Sequence, residues 1–112
     1  MAALIPNALR IYRFHPENLD PIAVYIEEFS PTSSRMTVQC YAQAWTAYWG
    51  AHGERGVENF VITCSAEYVA DNLTWGNNGL FTKAMEKRQA TYLRRIVQAI
   101  QSEFRAQQEP AQ

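Results

Sequence analysis

Few side chains in this sequence are equipped for chemistry. His52 lies in the stretch GAHGERG, with Glu54 two residues later and Cys64 further on, so a Cys–His nucleophile pair can be drawn on paper. Nothing local supports it. No cation or helix start adjoins Cys64 to lower the pKa of its thiol, and no family signature surrounds it. The glycines of GAHGERG fit neither the phosphate-cradling GxxxxGK(S/T) pattern nor GxGxxG, and Arg55 does not replace the lysine that the first of these requires. Cys40 and Cys64 sit among apolar neighbours without a CxxC, and with His15 and His52 they match no structural zinc spacing. The sequence therefore predicts no catalytic set, no metal site and no cofactor.

Aromatic residues are the stronger signal. Tyr41, Trp45, Tyr48 and Trp49 fall close together, and Trp75 adds a third indole. In an extended chain Tyr41, Trp45 and Trp49 share one face, and in a helix Trp45 and Trp49 stack one turn apart. The rings fit two roles, capping the core of a sheet or forming a protein-contact surface rich in the residues that dominate binding hot spots. Stacking on single-stranded nucleic acid wants basic residues between the rings, and none occurs between positions 36 and 54. The second candidate surface is basic. Lys83, Lys87, Arg94, Arg95 and Arg105 lie in the last long helical segment, where they could meet phosphates or face the acidic part of their own chain. Tyr41, Trp45, Tyr48, Trp49, Arg94 and Arg95 are accordingly the candidate partner-binding residues.

Positioning these residues falls to strands first and helices afterwards. ALRIYRF (8–14) alternates Leu9 and Ile11 with Arg10 and Tyr12. IAVYIEEF (22–29) sets Ile22, Val24 and Ile26 on one face, and residues 35–42 set Met36, Val38 and Cys40 opposite Arg35, Thr37, Gln39 and Tyr41. Short polar links make an antiparallel meander of about three strands the simplest arrangement. Residues 44–56 read either as a continuation of the third strand or as a turn. Helical periodicity then begins, with Val57, Phe60, Val61 and Cys64 in a helix over 56–64, and Ser65 starts another over 66–74. From Leu80 to Gln107 no Gly or Pro intervenes, and Phe81, Met85, Tyr92, Ile96, Ile100 and Phe104 form the stripe of one amphipathic helix over 80–107. At 1.5 Å per residue this helix is about 42 Å long, longer than a domain this size, so Ile96, Ile100 and Phe104 are the candidate seam of a homodimer.

Composition agrees with an α+β fold in a single domain. The 112 residues are 47% apolar and 19% charged, enough to bury a core without disulfides or metal. The net charge of −1 averages over an asymmetry: residues 1–79 hold four basic against eight acidic side chains, and residues 80–108 hold six against two. The amino end lacks the charged start and apolar run of a secretion signal, and no membrane-length apolar segment exists, so the sequence reads as cytoplasmic.

HPENLDPI together with CYAQAWTAYWG resembles a set of small accessory proteins encoded by temperate tailed phages and prophages of Gram-negative bacteria. The likeness spans roughly residues 8–73, and the segment from Leu80 onward departs from shorter relatives. This family has no established activity. The resemblance implies a protein that binds a host or phage protein complex, as inhibitors of bacterial defence such as anti-CRISPR proteins do. The expected function is thus a non-enzymatic protein-binding module in the host cytoplasm, and the alternative is a nucleic-acid-binding accessory protein using the basic helix.

Overall fold

A computed structural model describes residues 5–75 and 83–108. Seven elements follow in chain order: strands β1 (Ala8–Phe14), β2 (Ile22–Ser30), β3 (Ser33–Cys40) and β4 (Gln43–Trp49), then helices α1 (Val57–Thr63), α2 (Ala66–Trp75) and α3 (Lys83–Gln108). The α+β class and the meander hold, with one strand more than the sequence led us to expect: the strands form a four-stranded antiparallel sheet in the order β1-β2-β3-β4. The additional strand is the stretch 44–49, whose two readings the aromatic density had left open. Its alternation is clear once the register is known, because Val38 stands opposite Trp45 and Met36 opposite Ala47.

Each link is built by local chemistry. Asn18 turns β1 into β2 at a left-handed φ of 64°, a conformation its short polar side chain tolerates. Between β2 and β3 the loop is only Pro31–Thr32, tied by the Ser30 and Ser33 hydroxyls at 2.6 Å and by the Thr32 N–H donating to Ser30 Oγ at 3.2 Å. Tyr41–Ala42 closes the β3–β4 hairpin, with Cys40 paired to Gln43. Tyr41 holds a left-handed φ of 58° there, which costs a bulky residue about 1–2 kcal/mol where glycine would pay little. Gly56 precedes α1 at φ 94° and ψ 158°, a combination open essentially to glycine alone. The glycines of GAHGERG thus serve the backbone of a loop. Ser65 starts α2 as expected, its Oγ accepting the Tyr68 N–H at 3.1 Å.

Helices cover one face of the sheet. Ile22, Val24 and Ile26 of β2, Met36, Val38 and Cys40 of β3, and Trp45, Ala47 and Trp49 of β4 pack against Val57, Val61, Val69 and Leu73 and against Leu93, Ile96, Val97, Ile100 and Phe104 of α3. Helix α3 spans this face. Tyr92 lies 6.2 Å from the Trp45 ring and Phe104 4.9 Å from the Tyr12 ring, so its residues reach from the β3–β4 side to β1. Among its buried residues is one polar side chain, Gln101, whose amide donates to the carbonyls of Val61 at 3.0 Å and Cys64 at 2.8 Å. These are orphan acceptors at the end of α1, and Gln101 satisfies them from the neighbouring helix.

The dimer seam is corrected by this packing. Ile96, Ile100 and Phe104 are fully buried inside their own chain, because the apolar stripe of α3 faces the sheet. A second copy cannot reach them without opening the core.

Candidate functional site

The candidate binding residues do not converge on one surface. Trp45 and Trp49, candidates for a contact surface whose alternative role was to cap the core, are core residues, 1% and 6% exposed. Their indole N–H groups find no partner among the described residues, so ring area holds them in place. The shared parity of Tyr41, Trp45 and Trp49 is broken by the two-residue turn, and Tyr41 lies outside at 78% exposure. Tyr48, on the opposite face of β4 from Trp49, is also exposed.

Arg94 and Arg95 are elsewhere, in the helical layer. Arg94 is 3.5 Å from Glu67 of α2, and Arg95 donates to the Asn18 carbonyl at 3.3 Å. Arg105 reaches the Ile62 carbonyl at 3.5 Å. The basic helix therefore spends much of its polar reach on its own chain. Between the acidic and basic parts of the sequence the described residues show one ion pair, Arg94–Glu67.

His52 and Cys64 do not form a pair. His52 is buried, with Nδ1 2.9 Å from the Gly53 carbonyl and Nε2 3.0 Å from Ser34 Oγ. Facing a carbonyl, Nδ1 must donate, so in the neutral ring Nε2 accepts from the serine hydroxyl. Burial pushes the Cys64 thiol up, the opposite of what a nucleophilic cysteine needs. Cys40 shares a hydrogen bond with the Tyr92 hydroxyl at 3.3 Å, and this contact, with burial, pushes the phenol up to about 12. Among the described residues no three His, Cys, Asp or Glu side chains gather as metal ligands.

A charged cluster absent from the sequence reading sits on the inner side of β1. Arg10 forks onto Glu58 in the first turn of α1, with Nε 2.5 Å and Nη2 3.0 Å from its two oxygens, and also reaches Glu28 at 3.1 Å. The Tyr12 hydroxyl donates to the same Glu58 carboxylate at 2.6 Å. Burial by itself pushes Glu58 up, but the hydrogen bonds from Arg10 and Tyr12 outweigh it and hold the carboxyl below its ordinary range. Burial and then Glu58 push the Tyr12 phenol up to about 12. The cluster clamps the edge strand to α1. Its signal in the sequence was the alternation of β1, where Arg10 and Tyr12 take the inward parity.

That inversion creates the feature with the clearest functional meaning. Because Arg10, Tyr12 and Phe14 pair with Ile26, Val24 and Ile22 on the covered face, Leu9 and Ile11 are turned to the other side, 67% and 56% exposed. No described element packs there. Cross-strand rows run over this open face: Leu9, Glu27, Arg35 and Tyr48, then Ile11, Tyr25, Thr37 and Thr46, then Arg13, Ala23, Gln39 and Ala44. At one corner Arg35 forks onto Glu27 at 2.7 and 2.9 Å and lies 5.6 Å over the Phe29 ring, which in turn is 6.2 Å from Tyr48. The Glu27 carboxyl is held below its ordinary range by Arg35. The first two rows of the open face therefore mix apolar and aromatic residues (Leu9, Ile11, Tyr25, Tyr48) with two threonines and a self-contained ion pair.

A family model described as a phage family, Phage_phiTE_072, matches residues 6–84. The chain belongs to this phage family. The match takes in the whole sheet, α1 and α2, and closes just inside α3, so the core residues Leu93 to Phe104 lie beyond it. Comparisons with curated proteins and with solved structures give no match. No helix among the described residues is long and apolar enough to cross a membrane.

Proposed function

We propose that this phage-family protein is a non-enzymatic binding module that docks a host or phage protein complex on the open face of its sheet. The observation that carries the reading is the exposure of Leu9, Ile11 and Tyr48 on a face that no described element covers. Exposed large apolar side chains beside polar groups are what protein-binding faces present, and here Leu9 and Ile11 on β1 and Tyr48 on β4 flank the Glu27–Arg35 pair. Tyr25 and Tyr48 add broad ring area that loses little entropy on contact. The setting we assign is a temperate tailed phage, and the partner class is a host defence complex, with CRISPR interference as the leading case. In that role occupancy suffices, and no reacting group is required of the inhibitor.

The test is capture of host proteins on the intact chain beside a Leu9→Lys, Ile11→Lys, Tyr48→Ser variant, paired with a plaque assay on a CRISPR-immune host. A partner retained by the native face and lost by the variant supports the reading. Equal recovery on both sinks it. The basic helix is the weaker route, since Arg94, Arg95 and Arg105 already engage Glu67, Asn18 and Ile62. Binding to double-stranded DNA at low salt, with a steep loss as salt rises, would favour that route instead.

A further inference from the structure

We infer that the third row of the open face holds a receptor pocket for an acidic peptide segment of the partner, which takes one carboxylate on Arg13 and the neighbouring side chain between Ala23 and the Tyr41 ring. This rests on the docking reading above and names the chemistry of the partner there. The pocket has a volume of about 400 Å³ and is lined by Arg13, His15, Ala23, Gln39 and Tyr41 among others. That is the size of a site for a small ligand or an anchoring side chain. Its shape comes from the sheet register, in which Ala23 stands between Arg13 and Gln39. The small side chain leaves a depression, and its longer neighbours form the walls.

Charge selects the occupant. The open face carries two arginines and one carboxylate, and Arg35 is already neutralised by the fork onto Glu27. Arg13 makes no ion pair among the described residues. A planar guanidinium left open beside an apolar floor is suited to bidentate capture of a carboxylate. Tyr41 supplies a separate observation. Its left-handed φ of 58° is unfavourable for a tyrosine, and the residue is 78% exposed, so the fold gains little from the side chain it strains to present. Strain carried by a bulky residue at the rim of a pocket points to a use for that residue in binding.

The experiment is an amide NMR titration of the intact chain with the capped peptide Ac-Ala-Tyr-Asp-Ala-NH2, its Asp→Asn counterpart and AMP. The acidic peptide is expected to shift the amides of Ala23, Gln39 and Tyr41, with at least tenfold weaker binding by the Asn peptide and by an Arg13→Gln chain. Tyr41→Gly is expected to weaken binding by a similar factor while the melting temperature holds or rises, since glycine accepts the turn. A fall of more than about 5 °C would assign the ring to the fold and overturn its binding role. Equal response to the Asp and Asn peptides, response to AMP alone, or no response at millimolar peptide would overturn the pocket assignment. Failure here with partner capture still sensitive to Leu9 and Ile11 rejects the pocket and leaves the docking face standing; loss of that sensitivity with the peptide still bound does the reverse.

Discussion

The two faces of the sheet are made from the same four strands and differ in nearly every other respect. On the covered face, Ile22, Val24, Met36, Val38 and Trp45 are almost wholly removed from solvent and lock against the three helices. On the open face the same strands alternate to Leu9, Ile11 and Tyr48, which are exposed, and to Tyr25, which is half-buried. The stabilising face and the face proposed for docking are thus separated by the two-residue period of a strand. Side chains adjacent in sequence belong to different tasks: Tyr48 is open while Trp49 is core, and Ile11 is open while Tyr12 is bonded to Glu58.

The largest effect that would expose this division is on the covered side. Trp45→Ala should destabilise the fold by about 3–5 kcal/mol, read as a lower denaturant midpoint, because it leaves a cavity at the centre of the core. A cost below about 1 kcal/mol would show that the faces are not divided as described. Ile100→Ala should follow at about 2–4 kcal/mol, again by denaturation, and light scattering should give the same mass as the native chain. A change of mass would restore the helix as an oligomer seam.

Next comes the clamp on β1. Glu58→Gln weakens the fork with Arg10, with an expected loss of about 1–2 kcal/mol near neutral pH. The sign of the pH dependence follows from the direction in which Glu58 is held. Its carboxyl lies below the ordinary range in the folded chain, so its contribution is complete above the ordinary carboxylate pKa and is lost as pH falls through the lower folded value. Denaturation midpoints from pH 6 downward should therefore fall less steeply in Glu58→Gln than in the native chain. Parallel curves would remove the clamp from the account. Tyr12→Phe should cost about 1 kcal/mol for the single hydroxyl contact, read in the same way.

The smallest effect belongs to the open face. Ile11→Thr keeps a β-branched side chain on an exposed strand and should shift stability by no more than about 0.5 kcal/mol. If it costs as much as a core substitution, something within the chain covers that face and the comparison fails.

Periodicity made the inner residues of β2 and β3 and the stripe of α3 legible, since apolar residues recur at 22, 24 and 26, at 36, 38 and 40, and without a gap from Tyr92 to Phe104. The same pattern could not say what the stripe meets. Ile96, Ile100 and Phe104 looked equally suited to a second copy or to a sheet, and the meeting surface is contributed by strands more than forty residues upstream. Parity failed at Tyr41 because it is itself the first residue of the two-residue turn Tyr41–Ala42, and a turn with tyrosine in a glycine conformation carries no sequence signature. Strand β1 was legible as a strand but not in its orientation. Its apolar residues face outward, since the inward positions are occupied by Arg10 and Tyr12, whose polar ends find Glu58 from an element far along the chain. Expected helix boundaries at 56–64 and 66–74 fall within a residue of the observed ones, and the start expected at Leu80 lies outside the described residues.

The placement of the last core residues at Leu93 to Phe104 sets an order of events during synthesis. The meander is complete when Trp49 has been added; α1 and α2 follow with Val57, Val61, Val69 and Leu73, and the rest of the inner face has its partners only when α3 is made. At translation rates of about 5–20 residues per second, roughly 3–11 s separate Trp49 from Phe104. Through that interval the part of the inner face that α3 buries stays open, and chaperones that hold exposed apolar strands have their opportunity to act.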